Sequence, residues 1–547
     1  MSTENITTTY TIERLDHLGI IAGVIKDLKI VEFINDRLGT YHGESLSAGE
    51  TVAGMIINGL GFSNRPMSLT PQFFKQCPLW LLFHEGVKAD DFNRFKLGRI
   101  LDRCHGYGTE LLFSEISQHV CRQEKVDTRF NHLDTTSFTL FGNYSGKIDD
   151  DTVKIALGYS KDHRPDLKQI MLEMMVSQDG GIPLLAKCLN GNASDNIVFK
   201  ERSEKLIEAF NASEIPRYLV FDCKGYTEDN AANLMYLLFI TRIPNSIKMV
   251  GETIDLALAM PNAWEILDDG RKIQTFTVEH YGMQQRWHVL SSELSQQTAN
   301  KQVDKRVKKE AEAIEKQLFH LRAKRFSCAN DGNSSAQDLA KKWKHHQIKS
   351  SQIVEHLCYE SKGRPKKNQL PTKTEYQVIA EYEKDSDKIN KLKNKEAHYI
   401  IGSNTDPKEL TNQEVVAVYK KQIKAERGFR FLKDPLFFVS SLFVKTPKRI
   451  MALLMVMLLS LLVYGIAERR MRTCLAKLEE TLPNQIHQEI EKPTLRWIFQ
   501  LLYGIHCLKI STGKQSHQVI EGLTPLRKKI LLLFGPTVAD IYQLSYG

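Results

Sequence analysis

The stretch YKKQIKAERGFRFLK, Tyr419 to Lys433, places one carboxylate, Glu426, among cations on what reads as a single helix. At about 100° per residue the side chains of Tyr419, Gln422, Glu426 and Lys433 fall within an arc of roughly 60°, and Arg430 lies just beside it, one turn after Glu426. Val418, Ala425, Phe429 and Leu432 form a neighbouring apolar stripe suited to docking on a sheet. Pro435 is expected to stop the helix. By itself this pattern also describes a surface helix with an ordinary Glu/Arg pair.

Two aspartates elsewhere favour a chemical reading. Asp134 stands in RFNHLDTTSFTLFG, and Asp222 closes PRYLVFD, where Tyr218 to Phe221 is a short apolar run with strand character. Both are expected where strands end, at a sheet edge. Two Asp and one Glu from distant parts of the chain are hard oxygen ligands that suit a pair of Mg²⁺ ions, with Mn²⁺ able to substitute. Two such ions can clamp the attacking and the leaving oxygen of a phosphodiester exchange.

The spacing of Tyr419, Gln422, Glu426 and Lys433 resembles the Tyr-Arg-Glu-Lys signature of DDE transposases encoded by bacterial insertion sequences. Asp134 and Asp222 match the first and second aspartates of that family. GYSKDHRPDLKQ (Gly158 to Gln169), GNASDN (Gly191 to Asn196) and ERGFRFLKDPLFF (Glu426 to Phe438) resemble one large branch of it. The departure is Gln422, where the signature has Arg, and Arg430 is the substitute phosphate-binding cation that the helical face suggests. The resemblance implies that Asp134, Asp222 and Glu426 hold two Mg²⁺ ions, that water attacks a phosphodiester at a transposon end, and that the freed 3′ hydroxyl attacks target DNA. Tyr419, Gln422, Arg430 and Lys433 would then meet the DNA strand. It further implies a homodimer on DNA and a nucleoid-associated place in a bacterial cytoplasm.

The charge distribution agrees with a nucleic-acid partner. The formal net charge is +9, and residues 301–370 alone hold 17 Lys or Arg against 8 Asp or Glu, with 9 against 2 in residues 420–449. Cations so concentrated suit a phosphate backbone, although a solvated helix face shows the same surplus. SKGRPKKNQLP (Ser361 to Pro371) reads as an exposed basic loop. Its GRPKK resembles a minor-groove hook, which makes Arg364, Lys366 and Lys367 further candidate DNA contacts beside the plainer reading of a solvated loop. Nine cysteines lie scattered without a CxxC pair, which argues against a zinc site and a disulfide framework. MSTENITTTY lacks the features of a signal peptide. Ile450 to Ile466, seventeen residues without a charge, is at the short limit for a membrane span and is better read as a buried helix.

With 547 residues, the chain exceeds what one core normally serves. The expected fold is α/β: a ribonuclease-H-like catalytic core interrupted by a β-containing insertion domain, with helical N- and C-terminal regions. The boundaries read as 1–125 for a helical region suited to binding DNA ends, 126–244 and 396–470 for the two parts of the catalytic domain, 245–395 for the insertion, and 471–547 for the tail. Within the core, Thr152 to Gly158 and Gln169 to Ser177 read as strands, Asp179-Gly180-Gly181 as a hairpin turn, Ile182 to Cys188 as extended, Asn196 to Phe210 as a helix, and Tyr236 to Ile243 as the strand after Asp222. An insertion is required because 203 residues separate Asp222 from Glu426. In it, Lys272 to Ser291 alternates as strands do and Gln297 to Lys324 reads as a long charged helix. His398 to Ser403 reads as the last strand before the Glu426 helix. Trp287 suits core packing better than stacking on a displaced base. Asp162, His163 and Asp166 suit a polar loop as well as a metal site. A metal-dependent nuclease without strand transfer, and a DNA-binding regulator with a decayed site, fit the same residues.

Overall fold

The computed structural model describes residues 8–62, 66–142, 144, 151–158, 164–193, 206–207, 217–360, 367, 369–434, 436–437, 444, 446–512 and 515–545. It divides into two compact units, one formed by Met1–Ile240 with Ala417–Gly547 and the other by Thr241–Val416.

In the first unit, strands Pro183–Leu189, Lys168–Ser177, Phe130–Leu140 and Tyr218–Phe221 lie side by side in that order, followed by Leu238–Arg242, within which the unit boundary falls. The first three are antiparallel, and Phe130–Leu140 runs parallel to Tyr218–Phe221. Nine successive residues of Lys168–Ser177 are buried, so it is a central strand covered on both faces. Gly180 and Gly181, with φ of +78° and +69°, make the turn into Pro183–Leu189 as their left-handed preference predicts. Thr152 to Gly158, expected as a strand, forms among the described residues only one bridge, Ala156 to Gln169. The expected helix Asn196 to Phe210 lies mostly outside the described residues.

Behind the sheet runs the 32-residue helix Pro447–Leu478. It contains Ile450 to Ile466, is long and apolar enough to cross a membrane, and has 83% of its most apolar window buried within the protein. Helices Leu18–Asp27, Ala48–Leu60, Arg94–Tyr107 and Thr109–Gln123 pack around it, which is how an all-round apolar helix is accommodated in a protein core. Its polar end is anchored by ion pairs: Arg469 meets Asp179 at 2.8 Å, and Arg470 meets both Asp27 at 2.7 Å and Glu124 at 2.6 Å.

The two ends of the chain correct the expectation of purely helical terminal regions. Strand Thr8–Arg14 pairs antiparallel with His506–Thr512, which pairs with Gln515–Glu521. Helix Pro536–Ile541 then closes against Leu18–Asp27, where a Cβ at Gly23 would lie 2.6 Å from Val538. Such pairing is set by partners almost 500 residues apart and leaves no local periodicity to read.

In the second unit, Lys272–His280 and Met283–Ser291 form a hairpin closed by Tyr281 and Gly282, both at positive φ. Met283–Ser291 pairs in turn with His398–Ser403. Helix Glu293–Ala323 is capped by Ser292 and buries a narrow stripe of Ala299, Val303, Val307, Ile314 and Leu321, leaving Lys301, Lys305, Lys308 and Lys309 exposed. Trp287 is fully buried and donates to Gln285 Oε1 at 3.0 Å, so it is a core residue. Lys367 is exposed, whereas Arg364 and Lys366 lie outside the described residues.

Candidate active site

The register of two parallel strands brings the aspartates together. Phe130 to Leu133 pair with Tyr218 to Phe221 in order, so Leu133 lies opposite Phe221 and the next residue on each strand is an aspartate. Asp134 and Asp222 therefore share one level and one side of neighbouring strands about 4.8 Å apart. Asp222 stands at its strand end as expected, and its Oδ1 accepts from Lys224 N at 3.0 Å, capping the turn Cys223–Gly225. Asp134 does not. Its strand continues to Leu140, because the antiparallel neighbour Lys168–Ser177 goes on pairing after the shorter Tyr218–Phe221 has ended. Asp134 Oδ1 accepts from Thr135 N at 2.7 Å.

The Glu426 segment is two helices and not one. Asn412–Lys420 carries a half-buried Tyr419, Ile423–Leu432 carries Glu426 and Arg430, and Lys433 caps the second helix. At the break, hydrogen bonds shorten to three-residue steps, from Gln422 N to Tyr419 O and from Ala425 N to Gln422 O. No Gly or Pro marks the break. Its reason is tertiary: Gln422 Nε2 donates to Leu133 O at 3.1 Å, and Gln422 Oε1 lies 2.9 Å from His132 Nδ1. The single-face expectation for Gln422 therefore fails, because its amide points to the strand backbone. The apolar stripe of Val418, Ala425, Phe429 and Leu432 is buried. Gly428 lets the helix approach closely, since a Cβ there would lie 2.8 Å from Met174 Cε. Lys424 reaches Gln178 O from the same helix.

His132 is fully buried, and desolvation pushes its imidazole down to about 4, with Lys424 and Lys421 acting in the same direction and the Gln422 hydrogen bond against it. The ring is neutral at pH 7. Because Gln422 Nε2 donates to Leu133, its Oε1 accepts from the protonated Nδ1 of His132. Sequence reading missed this residue, and only the strand alternation around Asp134 hinted that it faces inward.

A groove of about 590 Å³ is lined by Asp134, Thr135, Thr136, Glu426, Phe429, Arg430, Lys433 and Asp434. It joins the first aspartate to the glutamate and to two of the candidate phosphate ligands. Gln422 and Asp222 are not in its lining, and Asp222 stands on the adjoining strand. Glu426 and Arg430 are exposed, and among the described residues no ion pair joins them. Lys433 Nζ lies 5.6 Å from the Phe138 ring centroid. At the rim, Asp434 is paired with Arg496, whose guanidinium rests 4.5 Å from the Phe62 ring. Phe431 packs there against Phe437 and Tyr464 at 4.6 and 4.7 Å, fixing the end of the Glu426 helix.

The donor set is three carboxylates without Cys or His, which fits a hard divalent cation. Among the described residues no three His, Cys, Asp or Glu side chains converge tightly enough to hold a metal ion. The chemistry of the donors fits such an ion, and the groove places Glu426 with Asp134 while Asp222 stands on the adjoining strand.

Comparison with known proteins gives two family matches. Residues 127–463 match the family described as transposase DDE domain, and residues 10–118 match a domain of unknown function, DUF4277. No curated protein matches the sequence. Among solved structures, the chain is similar to a piggyBac transposase synaptic complex with hairpin DNA, at 11% identity and a TM-score of 0.36, covering 90% of this chain and 82% of that one.

Proposed function

The chain belongs to the transposase DDE domain family and is a DDE-type transposase, an enzyme class that uses divalent metal ions; from that premise we propose that it binds the inverted-repeat ends of a bacterial insertion sequence, cleaves them and joins them to target DNA. The observation that carries this reading is the parallel register setting Asp134 beside Asp222, with Glu426 sharing a groove with Asp134. The four strands, three antiparallel and one parallel, support a ribonuclease-H-like core.

Asp134, Asp222 and Glu426 would hold two Mg²⁺ ions. When bound, such ions supply charge neutralisation at the phosphodiester and ease deprotonation of the attacking hydroxyl or water. The protein's own part is positional. The sheet holds the two aspartates level, the docked helix presents Glu426 from the other side, and Arg430 and Lys433 draw the strand's phosphates into the groove. Because Arg430 has no carboxylate partner among the described residues, its charge is available to the strand. The largely helical N-terminal region, residues 1–125, is the part we assign to DNA-end recognition, and a homodimer on DNA, working at the nucleoid of a bacterial cytoplasm, completes the reading.

The test uses the purified protein with DNA carrying the ends of its own element. Cleavage should require Mg²⁺ or Mn²⁺, and Asp134→Ala, Asp222→Ala or Glu426→Gln should each abolish it while retaining end binding. Cutting at an unchanged rate in chelator, or in any of the three variants, contradicts the reading. Cutting without joining identifies a nuclease instead.

A further inference from the structure

Gln422 stands where the transposase signature carries a phosphate-binding arginine, yet both ends of its amide are engaged beneath the groove. We propose that Gln422 is a positioning residue, tying the entry of the Glu426 helix to the strand that carries Asp134 and so setting the separation of the two carboxylates. This rests on the transposase reading of the groove.

The clamp is short and specific. Leu133 immediately precedes Asp134, and Gln422 immediately precedes helix Ile423–Leu432, so one hydrogen bond of 3.1 Å to the Leu133 carbonyl and one of 2.9 Å to the His132 ring connect the strand beside one carboxylate with the helix turn before the other. His132 and Leu133 are buried, 0% and 5% exposed, where an unmade hydrogen bond is not replaced by water. A carboxamide suits this place because it donates and accepts at once. Arginine has donors only, and it would bring a further cation to a position already flanked by Lys421 and Lys424. A carboxamide at 422 thus meets both the Leu133 carbonyl and the protonated Nδ1 of His132. The phosphate-binding role passes to Arg430, which lines the groove that Gln422 does not reach.

The experiment compares wild type with Gln422→Leu, Gln422→Arg and Gln422→Glu. Gln422→Glu keeps an acceptor for His132, loses the donor to Leu133 and adds a charge at nearly the same volume, which guards against a misfolded leucine variant. Three quantities are measured: end-DNA affinity by mobility shift, the single-turnover cleavage rate on saturated DNA with Mn²⁺, and amide hydrogen exchange of residues 421–426 in the DNA-free protein. Gln422→Leu and Gln422→Arg should bind ends within twofold of wild type and cleave tenfold or more slowly. Exchange at 421–426 should be about tenfold faster in both, and intermediate in Gln422→Glu. Unchanged exchange overturns the clamp. So does tighter end binding with wild-type cleavage in Gln422→Arg, or a loss in Gln422→Leu confined to affinity, since those mark a phosphate contact. If wild type fails to cut end DNA, the transposase reading falls while the exchange comparison still decides the clamp.

Discussion

Gly158 and Gly191 meet backbone to backbone: a Cβ on Gly158 would lie 2.2 Å from the Gly191 carbonyl oxygen, and one on Gly191 would lie 2.0 Å from that of Gln169. They open the two phrases GYSKDHRPDLKQ and GNASDN, whose glycines are therefore explained by close approach. The Gln169 side chain adds a 2.8 Å hydrogen bond to Gly191 O.

Gly191→Ala should accordingly destabilise the first unit severely. Neighbouring atoms are backbone and cannot swing aside, so the cost exceeds the roughly 1–3 kcal/mol typical of overpacking against side chains. A urea or thermal unfolding midpoint within error of wild type would show that the contact relaxes freely.

Arg430→Ala should slow strand cleavage by roughly tenfold or more, about 1.4 kcal/mol of transition-state stabilisation. Adding Gln422→Arg should restore none of it, because position 422 faces the strand backbone and not the groove. Recovery in the double variant, read by the same single-turnover assay, would return the phosphate contact to residue 422.

Two buried histidines predict acid lability. Burial pushes His132 down to about 4 and His288, with Arg286 adding to the effect, down to about 3. In the unfolded chain both titrate near 6.5, at the ordinary value for histidine. Between about pH 6.5 and 4 the unfolded state therefore binds more protons, so stability is complete above that window and falls as pH drops through it. At pH 5 each histidine costs on the order of 2 kcal/mol. Unfolding midpoints should drop clearly between pH 7.5 and 5, and His288→Asn should flatten the fall. A midpoint indifferent to pH over that range would mean that both rings accept protons without strain.

The strand ending in Asp222 was legible because a short apolar run closed by a carboxylate needs no distant partner to be recognised. The apolar helix Pro447–Leu478 was legible as core because its seventeen uncharged residues, Ile450 to Ile466, are at the short limit for a membrane span, and in the structure Arg469 and Arg470 beyond them pair with carboxylates of the same unit. The break before Glu426 was not. Lys421 and Gln422 are ordinary helix formers, and the break arises only when the Gln422 amide finds Leu133 and His132, nearly 300 residues earlier. Asp134 was misplaced at a strand end because strand length is set by the neighbour it pairs with. The role of Asp434 and Arg496 at the groove rim likewise depends on Phe62, from another part of the chain.

The pairing of Thr8–Arg14 with His506–Thr512 imposes an order on how the molecule comes into being. Synthesis runs at about 5–20 residues per second, so the first strand leaves the ribosome on the order of half a minute or more before its partner exists. Until then its hydrogen-bonding edge is unfilled, and Tyr10 and Ile12, 67% and 68% exposed even in the finished fold, stand beside it. A chain cut short before residue 506 has no means of closing that edge, so premature termination yields an adhesive fragment and not a smaller version of the protein.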